Sequence, residues 1–137
     1  MSTYLVAAIV GDFDAISARG ANGILSTVYV PVGKTHLGRF ALDVAVRSLD
    51  LLEQLFGVPF MGTKLDHLAI PDFAAGAMEN TGAITYREAA LLVDDKESSV
   101  ATLQRVAQVV AHENSHQVRR SAAAAVGCSC TVRCLRV

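Results

Sequence analysis

Leu103-Gln104-Arg105-Val106-Ala107-Gln108-Val109-Val110-Ala111-His112-Glu113-Asn114-Ser115-His116 is the stretch on which the fold turns. Leu103, Val106, Ala107 and Val110 recur at helical intervals and make one apolar stripe. At about 100° per residue, His112 and His116 fall about 180° and about 220° round the helix from Leu103, away from that stripe. Histidines four apart project from one helix face a turn apart, a separation that a single zinc ion bridges. Glu113, beside the first of them, can then reach a zinc-bound water. A spacing of two would put the imidazoles on opposite faces. A lone histidine is usually a packed core group, but two on one face with a glutamate between them ask for another explanation.

The rest of the chain gives this helix a folded setting. Its 137 residues are one domain's worth, and 52% hydrophobic against 18% charged residues is the balance of a buried core rather than of a disordered tail. A net charge of -1 argues for neither nucleic acid nor an anionic membrane as partner. Charge is unevenly placed: Glu113 is the last acidic residue, and only arginines (Arg119, Arg120, Arg133, Arg136) follow it. The opening run from Tyr4 is short and lacks a basic flank. It reads as a buried strand rather than a signal peptide or membrane span, and the chain is expected in the cytoplasm. Cys128, Cys130 and Cys134 crowd the last ten residues, a poor disulfide framework whose spacing does not favour a metal role.

Working back from the helix, Asp94, Asp95 and Ser98-Ser99 supply its expected start. Tyr4 to Phe13 and Ile24 to Val30 are strand candidates. Gly20 and Asn22-Gly23 between them predict a hairpin with a somewhat long loop, and Pro31-Val32-Gly33 ends the β section. Leu37, Phe40, Ala41, Val44, Leu51, Leu52 and Leu55 predict a helix stopped by Gly57 with Pro59 beyond. Leu65 to Ile70 is a strand closed by Pro71, and Asp72 to Gly82 a loop or edge strand. Ile84 to Tyr86 and Leu91 to Val93 are short strands or turns. Ser121 to Val126 reads as a short alanine-rich helix ending at Gly127.

A second motif, Gly76-Ala77-Met78-Glu79-Asn80, lies upstream. Its small residues let an extended backbone approach a ligand closely, with Glu79 as a carboxylate at the end; the alternative is a flexible loop with a solvated glutamate. The two motifs together resemble the zinc aminopeptidases of the alanyl and puromycin-sensitive type (gluzincins). Val32-Gly33-Lys34-Thr35-His36, Lys64-Leu65-Asp66, Pro71-Asp72-Phe73, Ile84-Thr85-Tyr86-Arg87-Glu88 and Leu91-Leu92-Val93-Asp94 look like the same family, so the resemblance runs from Met1 to Gln117. It implies an α+β fold, the end of a β-rich amino-terminal domain (1–32) followed by an incomplete thermolysin-like catalytic domain (33–117). It further implies one zinc ion on His112 and His116, with Glu113 as general base. Glu79 would hold the substrate's α-amine, among substrate-binding residues Gly76, Ala77, Met78 and Asn80. The implied partners are peptides with a free amino terminus, and the second motif disfavours an endopeptidase.

The sequence departs from this pattern after Gln117. The position of the family's third zinc ligand, a glutamate, is Leu135 here, and leucine has no donor atom. The tyrosine that such enzymes use to steady the oxyanion is also missing, since Tyr86 is the last tyrosine. Residues 118–137 are therefore expected to be a tail outside the family pattern, frameshifted or intron-derived. The competing expectation for the whole is an inactive remnant or weak zinc-binding module.

Overall fold

A computed structural model describes residues 5–125. The three cysteines, Leu135, the proposed helix end at Gly127 and the first residue of the Tyr4 strand fall outside that range. Five strands form one mixed sheet in the order β1-β2-β3-β5-β4. They are β1 (Phe13–Arg19), β2 (Leu25–Pro31), β3 (Lys64–Ile70), β4 (Ala77–Met78) and β5 (Ala83–Arg87). The helices are α1 (Arg39–Phe56), the single turn α2 (Glu88–Leu91) and the long α3 (Val100–Ala125). This is the expected α+β class.

β3 sits at the centre, parallel to both β2 and β5. Leu65 to Ala69 is buried throughout, as expected for a parallel strand covered on both faces. Parallel pairing of β2 with β3 requires a crossover, and α1 supplies it. α1 buries Ala41, Ala45 and Leu49, each four residues after the last, and ends where Gly57 takes a left-handed φ of 65°. The stripe expected from sequence is only partly covered: Leu51 and Leu55 lie exposed.

β1 corrects the first strand expectation. Leu5 to Asp12 contains no strand, and Val10 is fully exposed. The reason is register. The turn at Gly20–Ile24 aligns Arg19 with Leu25 and Phe13 with Pro31. Beyond Pro31, Gly33 turns the partner strand away with φ 83°, so residues before Phe13 have nothing to pair with. Two Asp50 oxygens accept the N–H groups of Ala21 and Asn22, which ties this turn to α1.

Leu91 to Val93 also differs from expectation: it spans the end of α2 and an extended exit, where Val93 N–H donates to the Leu37 carbonyl. The alanine-rich stretch from Ser121 is no separate helix but the continuation of α3. Val118 is buried in the core, and Ser121 Oγ accepts the Met61 N–H at 3.1 Å. Ser99 acts as foreseen, accepting the Thr102 N–H at the start of α3, whereas Asp94 accepts the Lys96 and Glu97 N–H groups in the turn before it. The place of the expected domain boundary, residue 32, lies between β2 and β3, which are neighbours in one sheet. No helix among the described residues is long and apolar enough to cross a membrane.

Candidate active site

α3 lies against α1, and one residue inside the His-Glu pentapeptide makes the join. Asn114 is fully buried, and its Nδ2 donates to Ala45 O and Ser48 Oγ, both at 2.9 Å. With that face fixed, His112 and His116 turn elsewhere. Their Nε2 atoms converge to 3.1 Å, with the rings nearly perpendicular at 84°. Two nitrogens each about 2.0–2.1 Å from one tetrahedral ion would stand roughly 3.3 Å apart, so the pair fits a shared zinc. His116 is held below its usual pKa, first by burial and then by the His112, Arg120 and Arg119 charges, with Glu79 opposing.

Glu113 is nearly buried, and its Oε2 has no hydrogen-bond partner among the described residues. Burial, followed by the nearby Glu79 charge, pushes its carboxyl up to about 7, with Arg120 pulling the other way. Glu79, Glu113 and His116 bring ligand atoms within 4.8 Å of one another. That cluster joins two carboxylates to one histidine, and it omits His112. The shorter histidine–histidine approach is the better guide to where a cation would sit, because those two ring nitrogens lie close to the separation that one tetrahedral zinc ion imposes. Behind this layer His67 and Tyr86 are fully buried and joined at 3.0 Å between Nδ1 and the hydroxyl. Burial lowers His67 to about 3 and raises Tyr86, to which the Glu113 charge adds.

Glu79 follows β4, the outermost strand on its side of the sheet. Ala77 stands opposite Tyr86, and Gly76 O accepts the Arg87 N–H at 2.9 Å. Hydrogen bonding alternates along an antiparallel pair, so Ala77 directs its own N–H and C=O to the open edge. Gly76 has free space where a side chain would be. Asn80 spends its amide within the protein: Oδ1 accepts from Thr85 Oγ1, and Nδ2 donates to Leu5 O.

Two residues not singled out from sequence complete the arrangement. Gln117 Nε2 donates to the carbonyls of Glu79 and Asn80, and its Oε1 accepts the Gly82 N–H, so α3 grips the whole turn. Arg120, one turn on, bonds Glu79 twice, Nη1 to its carbonyl at 2.5 Å and Nη2 to Oε1 at 3.3 Å. Their only signal in the sequence was their position one residue and one turn beyond His116.

Residues 40–118 match the model of the Peptidase family M1 domain. Over 117 residues (85% of this chain) it is 57% identical to Aminopeptidase M1-A of Oryza sativa subsp. japonica and 55% identical to Aminopeptidase M1 of Arabidopsis thaliana. It is also 47% identical to the Puromycin-sensitive aminopeptidase of Caenorhabditis elegans over 116 residues. The chain spans 13% of the length of each of those two plant relatives and 12% of the nematode one.

Proposed function

The chain belongs to peptidase family M1, and on that premise we propose that it carries the first part of a zinc aminopeptidase active site. His112 and His116 hold the ion through the Nε2 atoms that approach to 3.1 Å, the observation that carries this reading. When bound, zinc polarises the scissile carbonyl and lowers the pKa of water to about 7. Glu113 takes the water's proton and passes it to the leaving amine. A carboxyl held near 7 by burial is suited to both steps. Glu79 pairs with the substrate's α-ammonium. An internal peptide nitrogen carries no charge to pair with it, so the carboxylate selects free amino termini. Ala77 offers its outward N–H and C=O to an extended peptide, Gly76 keeps that edge bare, and Met78 and Asn80 shape the turn that carries Glu79. Because β2 and β3 are neighbours in one sheet, we assign β1 and β2 to the same catalytic unit as residues 33–117.

A second reading has its own observation. No aspartate or glutamate follows Glu113, and Leu135 stands where the third zinc ligand is expected. Catalytic zinc normally has three protein ligands, so this chain alone is a weak zinc-binding module. Zinc content and hydrolysis of aminoacyl-arylamides, measured on the purified 137-residue chain, separate the two. The expected result is weak zinc binding that His116→Ala abolishes, with hydrolysis near background. Full activity would overturn the second reading. In a longer version carrying a third ligand, Glu113→Gln and Glu79→Ala should each lose roughly a hundredfold or more in kcat/KM. Unchanged rates would refute the assigned roles.

A further inference from the structure

Glu79 already has a cation. Arg120 Nη2 lies 3.3 Å from its Oε1, while Nη1 bonds the Glu79 carbonyl and reaches Thr81 Oγ1 at 3.5 Å. Both side chains are about a quarter to a third exposed, so the pair is shielded from water more than a surface bridge is. Among the described residues Arg120 is the only cation paired with Glu79. The carboxylate it engages is the one that stands within 4.8 Å of the Glu113 and His116 ligand atoms.

We propose that Arg120 is an internal competitor for the amine anchor, occupying through its guanidinium the carboxylate that would receive a substrate's α-ammonium. This rests on the reading of Glu79 as that anchor. The two cations seek the same carboxylate, which Arg120 engages at Oε1. Arg120 is tethered to α3, one turn past His116, so it acts at the high effective concentration of an intramolecular ligand. A peptide's ammonium must displace it, and displacement can also cost the Glu79 carbonyl one of its two bonds to α3, leaving the one from Gln117 Nε2. The chain is thereby biased against the ligands its own second motif is built to hold.

The test measures affinity of the full 137-residue chain for leucinamide, which has a free α-amine, and for N-acetyl-leucinamide, which has none. Arg120→Gln should tighten leucinamide by roughly three- to tenfold and leave the acetylated compound unchanged. Adding Glu79→Gln should cancel that gain. Arg120→Lys keeps a cation without the fork and should give an intermediate affinity, which serves as the readout should Arg120→Gln fail to fold. If Arg120→Gln and Arg120→Lys both bind leucinamide no better than the parent, while Glu79→Gln weakens binding, the competitor idea is wrong and the anchor stands. If Glu79→Gln changes nothing in either background, the anchor itself falls and takes the competitor with it.

Discussion

His67 shows what burial does to one titratable ring. Its only hydrogen bond is to the Tyr86 hydroxyl, and Nε2 has no partner among the described residues. The fold therefore holds it neutral down to about pH 3, whereas an unfolded histidine takes a proton below about 6.5. The unfolded state binds more protons throughout that interval, so stability falls as pH drops from 6.5 towards 3 and is complete above it. Up to about 1.4 kcal/mol per pH unit comes from this residue. Glu113, raised to about 7, opposes this slope over the same window, so the test is a difference. Between pH 4 and 7 the urea midpoint of His67→Gln should rise less with pH, or fall more, than that of the parent, and equal slopes would refute the assignment. None of this was legible in the sequence, where His67 is one more polar letter in a strand and Tyr86 lies 19 residues away. The His112–His116 pair was legible, because helical spacing alone fixes which way four-apart side chains point. Arg120 on Glu79 was not, since the contact spans 41 residues and depends on how α3 meets the turn after β4.

Elements were readable where their signals are local. α1 announces itself by period and stops at Gly57, and β3 carries Leu65, Leu68, Ala69 and Ile70 around the polar pair Asp66-His67 and is closed by Pro71. β1 was misplaced because partner availability, not β propensity, selected Phe13–Arg19. The alanine-rich run from Ser121 reads as a helix of its own in the sequence, yet it continues α3. Helix propagation needs only compatible residues and a core to meet, and Val118 and Ser121 supply both. The join between α1 and α3 is tested at Asn114, whose amide nitrogen makes two buried bonds across it. Asn114→Ala should cost about 1–3 kcal/mol, because it removes both bonds across the join, although the Ala45 carbonyl keeps the Ser48 hydroxyl as a donor. Chemical denaturation measures this directly, and a loss below about 0.5 kcal/mol would mean that apolar contacts alone hold the helices together.

The described fold carries apolar surface that it does not cover. Leu51, Leu55 and Met61 are each more than 60% exposed, in a chain spanning only 12–13% of the length of its relatives. Contiguous exposed apolar side chains promote association. Sedimentation of the 137-residue chain should show concentration-dependent self-association, which Leu51→Glu with Leu55→Lys reduces while circular dichroism stays unchanged. A strictly monomeric parent chain would disprove this. The sheet order has a subtler outcome. β4 contributes just two residues to the rim, a span of roughly 7 Å. Such a short ledge is a poor template for stacking a second chain edge to edge. On the function proposed above, only Ala77 turns its N–H and C=O outward, so this sheet would hold an incoming peptide backbone at a single rung and leave its remaining length ungripped.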